Sequence, residues 1–380
     1  MFIYTEEQKL LIHSVSTFAK EYLAPKAEEL DETEGYNQVA FKKMAELGLL
    51  GITADEKYGG ANLGALETTL VMEKLAEACA STTLCYLAHS ILCVNNIQAN
   101  GSEAQKQKYL PKLISGAWLG GMAMTEPGAG SDALGLQTRA VKTGNKYILN
   151  GAKTYITNGP SGNIFVVYAK TGPNRKDVST FIVESCFPGF KVSKKLRKMG
   201  MRASPTAELA FIDCEVPVEN LIGKENDSIS HMMKNLNLER ITISGISLGI
   251  TSACLSYTSR FVQERSQFGK PLSHFQMVQE RIAEMATYLD AGRALCYAAA
   301  QRFDSGDLDP TLGAKCKLFT APMGTRAGLD AIQLLGGAGY MKEYPVERYM
   351  RDAKLLEIGA GTNEIMRIII AKSLLNLKEG

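Results

Sequence analysis

Histidine is scarce in this chain of 380 residues: four copies, at 13, 89, 231 and 274, with no two at the spacing that lets one helix face hold a metal. Eight cysteines, at 79, 85, 93, 186, 214, 254, 296 and 316, contain no CxxC pair, so neither a zinc site nor a disulfide framework is indicated. An excess of charge of one sign is missing too. Lys and Arg number 42 against 40 Asp and Glu, and the net charge of +2 supplies no field for non-specific nucleic-acid binding; the basic stretch from Lys191 to Arg202 reads as a solvated face. No GxGxxG follows a strand and no GxxxxGK[ST] occurs, so the Rossmann and P-loop nucleotide sites lack their signatures. The longest uncharged run, 241–259, has the length of a membrane span, but Thr242, Ser244, Ser247, Thr251, Ser252 and Ser256 make it too polar for lipid, and a buried core helix is expected instead. The first ten residues carry no apolar stretch and include acidic side chains, which points to a cytoplasmic protein.

What is present is a chain in three parts. Capping boxes at Thr5/Gln8 and Ser102/Gln105 and an apolar stripe of Leu70, Met72, Leu75 and Ala76 predict a helical domain over 1–117. Over 118–224 the period becomes two, at Tyr147-Ile-Leu, Ile164-Phe-Val-Val-Tyr, Thr180-Phe-Ile-Val and Glu208-Leu-Ala-Phe-Ile, with turn signals at Gly144-Asn145, Asn150-Gly151 and Pro188-Gly189. That predicts an antiparallel β-domain, a small barrel or stacked sheets. Helices resume over 225–380, with a long one from about Asp227 to Glu264 and a last one capped by Thr362. The fold class expected is α+β, with the C-terminal helices arranged like a four-helix bundle.

Three glycine-rich stretches, Thr125-Glu-Pro-Gly-Ala-Gly-Ser131, Gly336-Gly-Ala-Gly339 and Gly359-Ala-Gly361, read either as plain turns or as backbone cradles whose N–H groups hold phosphate or polarise a carbonyl. Glu239 is the most informative single residue. On the long helix it shares a stripe with Met232, Leu236, Ile243, Ile246 and Ile250, and a carboxylate on an apolar face has its pKa raised toward the range a general base needs. A structural ion pair is the competing reading, although Arg240, a quarter-turn round the helix, is not its partner.

These pieces in this order resemble the acyl-CoA dehydrogenase family along essentially the whole chain. The resemblance is carried by Met124-Thr-Glu-Pro-Gly-Ala-Gly-Ser-Asp132, Gly151-Ala-Lys-Thr-Tyr-Ile-Thr-Asn158, Arg265-Ser-Gln-Phe-Gly269, Gln333-Leu-Leu-Gly-Gly337, and Arg351-Asp-Ala-Lys354 with Gly361-Thr362. Within the family the likeness is to the isovaleryl-CoA dehydrogenases, through Leu84-Cys-Tyr-Leu-Ala-His-Ser90, Asn237-Leu-Glu-Arg240 and Glu357-Ile-Gly-Ala-Gly-Thr362. It implies an enzyme that takes a proton from Cα and a hydride from Cβ of an acyl-CoA, leaving a trans-2-enoyl-CoA, with FAD as the cofactor and electron-transfer flavoprotein as the acceptor. It further implies a homotetramer in which two subunits complete each flavin site, and neither nucleic-acid binding nor membrane insertion.

The resemblance also implies roles. Met124, Thr125, Gly130 and Ser131 would line the flavin ring, with Thr157 near N5 and Tyr155 against the ring where many relatives have Trp. Arg265, Phe268, Gln276, Gln333, Gly336 and Gly337 would hold the rest of the cofactor, and Thr362 and Glu364 would finish the site. Most relatives carry the base directly before the Gly-Thr pair, where this chain has Ala360; the carboxylate then comes from Glu239, with Glu357 and Glu364 as lesser alternatives and the Ala360 N–H left to polarise the thioester. Leu84, Ala88, Leu355 and Gly359 would shape a pocket for a short branched acyl group, while Ser131, Arg175, Asn237 and Arg240 would meet the rest of the thioester. A cyclic or aromatic acyl group, or a non-catalytic flavoprotein, are the alternatives.

Overall fold

The computed structural model describes residues 2–377. Six helices precede the sheet: α1 (Glu6–Phe18), α2 (Ala27–Thr33), α3 (Gln38–Glu46), α4 (Ala65–Leu87), α5 (Asn95–Asn100) and α6 (Glu103–Ile114). Both capping boxes form, Thr5 Oγ1 accepting the Gln8 N–H at 3.2 Å and Ser102 Oγ accepting that of Gln105 at 3.2 Å. Leu70, Met72, Leu75 and Ala76 are buried on α4, so the stripe read from sequence is a core face.

Eight strands follow: β1 (Gly120–Ala123), β2 (Arg139–Thr143), β3 (Lys146–Thr157), β4 (Ile164–Lys170), β5 (Val178–Glu184), β6 (Phe190–Lys195), β7 (Thr206–Pro217) and β8 (Leu221–Ile222). They join in one sheet of order β6-β7-β3-β2-β4-β5-β8, with β1 on β4. Two details depart from the expected pattern. β1 pairs with β4 in parallel, because a loop and the β2–β3 hairpin intervene and bring the chain back in the same direction. β4 is also buried on both faces rather than alternating. Ile164, Val166 and Tyr168 pack with Ile97 and Tyr109 of the helices, whereas Phe165, Val167 and Ala169 pack with Phe181, Leu209 and Phe211. The second core exists because the sheet curls over itself: the Phe165 ring stacks on Phe190 at 5.5 Å, although their strands are four positions apart in the sheet.

The C-terminal part comprises α7 (Ser228–Glu264), a β9 (Ser266–Gln267) and β10 (Lys270–Pro271) hairpin, α8 (Gln276–Asp304), α9 (Thr311–Leu335), α10 (Val346–Leu356) and α11 (Asn363–Leu374). The 241–259 run lies within α7, which packs lengthwise between α4 and α9. Small residues set that closeness. A β carbon at Gly245 would stand 2.6 Å from Thr69 O of α4, and one at Gly313 of α9 would stand 2.7 Å from Asn237 O of α7. A buried charge knot ties α4 to α8: Glu73 accepts from Arg293 Nη2 at 2.6 Å and from the Tyr297 hydroxyl at 2.5 Å.

Gly245→Ala tests the helix contact by sign. Removing an interior glycine favours a helix by about 1 kcal/mol, whereas overpacking costs on the order of 1–3 kcal/mol. The net loss of up to about 2 kcal/mol should lower the thermal midpoint by about one to a few degrees in a chain of this size; a rise would show that α4 and α7 are not held at this distance.

Candidate active site

A cleft of about 740 Å3 opens where the three parts meet. Leu84 and Leu87 of α4 with Ala88 just after it form one wall, Met122, Met124, Thr125 and Tyr155 to Thr157 of the sheet a second, Leu236, Glu239, Arg240 and Ile243 of α7 a third, and Leu355 with Gly359 to Thr362 a fourth.

The sheet wall is built on a buried ion pair that sequence reasoning missed, since its partners stand 27 residues apart. Glu126 Oε1 accepts from Lys153 Nζ at 2.8 Å and from the Thr138 N–H at 3.0 Å, and Lys153 also donates to Met124 O at 2.9 Å. Burial pushes the Lys153 ammonium down to about 8 against the pull of Glu126. The pair fixes both ends of the loop that carries Gly128, Gly130 and Ser131. Where β3 pairs with β7 the register slips between Lys153 and Ile156, and this bulge puts Tyr155 at φ +59° and leaves it 71% exposed at the cleft. Asn158, also left-handed at φ +64°, donates from Nδ2 to Cys85 O at 3.1 Å and Gly120 O at 2.9 Å, and so locks Thr157 against α4 and β1. His89 Nδ1 accepts the Gly120 N–H at 3.0 Å, a backbone role for this histidine. Lys153, Asn158 and His89 all stood within the motifs quoted above, but nothing local showed what each would hold.

Glu239 is 6% exposed and its Oε2 has no hydrogen-bond partner. Burial pushes its carboxyl from an ordinary 4.5 up to about 7, with Arg240 and Lys317 pulling the other way. The folded chain therefore holds this proton more tightly than an unfolded chain does. Stability from the site declines as pH rises from 4.5 toward 7, above which the buried charge is carried at a cost of about 3 kcal/mol. Arg240 makes no ion pair with Glu239; its Nε donates to Ala360 O at 3.2 Å. That bond steadies a turn in which Ala360 (φ +56°) and Gly361 (φ +90°) are both left-handed, closed by the Asn363 N–H on Glu357 O at 3.0 Å. Among the described residues the Ala360 N–H donates to no backbone carbonyl and so remains available to a ligand. Thr362 Oγ1 accepts the Ile365 N–H at 3.3 Å and caps α11.

The cleft brings together Leu84, Ala88, Met124, Thr125, Gly130, Ser131, Tyr155, Thr157, Glu239, Arg240, Leu355, Gly359, Ala360 and Thr362. It does not include the others. The Asn237 side chain is spent on α9, its Oδ1 accepting the Gly313 N–H at 3.2 Å and its Nδ2 donating to Asp309 O at 3.2 Å. Arg175 is exposed and paired with Asp132. Glu357 accepts from Thr325 Oγ1 at 2.6 Å and Lys354 at 3.1 Å, and Glu364 is exposed beside Arg367, so neither competes with Glu239 for the cleft. Arg265, Phe268, Gln276, Gln333, Gly336 and Gly337 lie off this cleft, with Phe268 93% exposed at φ +51°.

A flat, polar-edged ring fits these walls. Met122, Met124 and Tyr155 bring apolar surface to the lining, and Thr125, Ser131 and Thr157 bring hydroxyl groups. A β carbon at Gly128, Gly130, Gly336 or Gly337 would meet no atom within 4 Å, which leaves open backbone cradles where a cofactor can approach.

Sequence comparison matches residues 5–117 to the acyl-CoA dehydrogenase N-terminal domain, 121–214 to the middle domain and 227–375 to the C-terminal domain. The chain is 46% identical over 375 residues to the mitochondrial isovaleryl-CoA dehydrogenase of Pongo abelii, covering 97% of this chain and 89% of that one. The butyryl-CoA dehydrogenase of Megasphaera elsdenii superposes with a TM-score of 0.96 at 37% identity, over 99% of this chain and 100% of its own. A chain from the structural study of the electron transferring flavoprotein of Acidaminococcus fermentans gives 0.96 at 40% identity, over 99% of both chains. The walls of the cleft thus come from the three domains of one known architecture, and the chain belongs to the acyl-CoA dehydrogenase family.

Proposed function

We propose that this protein dehydrogenates a short, branched acyl-CoA of the isovaleryl kind to the trans-2-enoyl-CoA, with FAD as cofactor and Glu239 as the base. The observation that carries the reading is Glu239 itself, a buried carboxylate with one oxygen unpartnered, in a cleft shared with the Ala360 N–H. A thioester α-proton is too weakly acidic for a carboxylate unless the carbonyl is polarised. The Ala360 N–H supplies the donor for that oxygen, and Arg240 holds the carbonyl of the same residue, one peptide further on. The Glu239 carboxylate then takes the α-proton, and its raised pKa makes it a stronger base than an exposed carboxylate while leaving it ionised in part near neutrality. When bound, FAD accepts the β-hydrogen with its electron pair. Leu84, Ala88, Leu355 and Gly359 shape the acyl end, where the absence of a side chain at 359 leaves room for a branch.

The exposed Phe268 and Tyr340 and the cofactor-type residues lying off the cleft suit a homotetramer in which a second subunit completes each flavin site. The similarity to a chain studied with an electron transferring flavoprotein supports such a protein as the electron acceptor.

Glu239→Gln should bind acyl-CoA yet reduce its flavin about 10²–10⁴-fold more slowly than the parent. The parent rate should fall about tenfold per pH unit below an acid limb near 7, a limb the variant lacks. At pH 8 the variant's thermal midpoint should not drop, because the buried charge is gone; a lowered midpoint with intact turnover would mark Glu239 as an ion-pair residue. For substrate, isovaleryl-CoA should surpass octanoyl-CoA in kcat/KM, in a graded way because each misplaced methylene is worth only about 1–3 kcal/mol. A tenfold preference for octanoyl-CoA would remove the branched-chain assignment and leave the reaction standing.

A further inference from the structure

α9 meets α7 along a stripe of its own residues. A β carbon at Gly313 would stand 2.8 Å from Arg240 Cβ, and one at Gly324 3.6 Å from Ser247 O, so the two helices run in the same direction at this contact. Lys317 lies on that stripe, one turn beyond Gly313. Side chains lean toward the N-terminus of their helix, which carries its four-carbon stem back toward the turn of α7 that bears Glu239 and Arg240. The residue is 1% exposed and its Nζ has no hydrogen-bond partner. An ammonium buried in this way is costly unless a charge offsets it.

Three carboxylates pull on its charge through space, Glu239 on α7 most, then Glu357 beyond the end of α10 and Glu364 at the start of α11, and none forms an ion pair with it. Glu357 is taken by Thr325 and Lys354, and Glu364 by Arg367. Of the three, only Glu239 keeps a buried oxygen without a partner. The other cation nearby, Arg240, directs its Nε to Ala360 O. Tyr168 of β4, another titratable group near Glu239, accepts from Asn96 Nδ2 at 3.0 Å, and burial pushes it up to about 12, so it stays neutral; Tyr155, Arg197, Lys198, Arg351 and Lys354 line the cleft that Glu239 shares.

We propose that Lys317 is a positioning residue of the reaction, a buried counter-charge that acts on Glu239 through space and keeps the base ionised in an apolar cleft. The proposal rests on the reading of Glu239 as the base. It assigns work to a residue that lines no part of the cleft and stands in none of the motifs quoted above. The lowered pKa of the ammonium, pushed by burial to about 8 while Glu239 opposes the shift, agrees with a charge held near its limit.

The test is the pH profile of flavin reduction in the FAD-loaded full chain carrying Lys317→Met, read by stopped flow with isovaleryl-CoA. An opposite charge at close range typically moves a carboxyl by about one unit or more, so the acid limb should rise by about one pH unit, and at a fixed pH below it reduction should slow about tenfold. The high-pH plateau and acyl-CoA binding should hold, Lys317→Arg should keep the parent limb, and at a pH below the limb, where Glu239 is protonated, the thermal midpoint of Lys317→Met should not fall, since a buried ammonium is removed. If the methionine variant does not fold, Lys317→Gln is read by the same limb. An unmoved limb in a folded variant, with Glu239→Gln inactive, overturns the proposal and leaves the base in place; a Glu239→Gln variant that reduces at the parent rate overturns both.

Discussion

On the proposed reading, a carboxylate that must be charged to act stands where burial favours its neutral form, and the rest of the site follows from that conflict. Water would ionise Glu239 readily but would also weaken it as a base and weaken every dipole aimed at the thioester. Burying it among Leu236, Ile243 and the walls of α4 and the sheet gives it a pKa near neutrality. The cost is then limited by cations that approach without forming an ion pair, for a tight pair would take up the oxygen that the α-proton needs.

The scaffold keeps this balance by holding three domains at fixed distances. α7 is the common element, pressed against α4 where Gly245 and Gly249 leave no room for a β carbon and against α9 at Gly313. On the sheet side the buried Glu126–Lys153 pair pins the glycine loop from beneath, and Asn158 ties β3 to both α4 and β1. The left-handed Ala360–Gly361 turn, steadied by Arg240, presents a backbone donor from the fourth wall. On the proposed reading that amide polarises the thioester carbonyl whatever side chain stands at position 360, so the base can stand on a different element.

Much of this was legible in the sequence wherever the cause was local. Capping boxes, the extent of α7, the Thr362 cap and the odd carboxylate on an apolar stripe all depend on residues within a turn or two of each other. Features set by distant partners were not. β4 reads as a plain strand, but its burial on both faces depends on helices and on a sheet that curls to bring Phe190 over Phe165. Asn237 sits one turn from Arg240 in a motif shared with relatives, yet its amide is consumed by the start of α9. Arg265, Phe268 and Gln333 were read as parts of one site, and in the single chain they lie away from the cleft that holds Glu239. Lys317 left no sign at all, since a lone lysine in a helical run looks like a solvated face until the packing of α9 on α7 is known.

Proton removal can be followed separately from the redox step. With its flavin already reduced chemically, the enzyme cannot accept a hydride, and incubation with isovaleryl-CoA in D2O then reports only whether the α-position exchanges. The account predicts deuterium at Cα for the parent and exchange slowed at least about a hundredfold for Glu239→Gln. Exchange at the parent rate in that variant would contradict it and place the base elsewhere in the cleft.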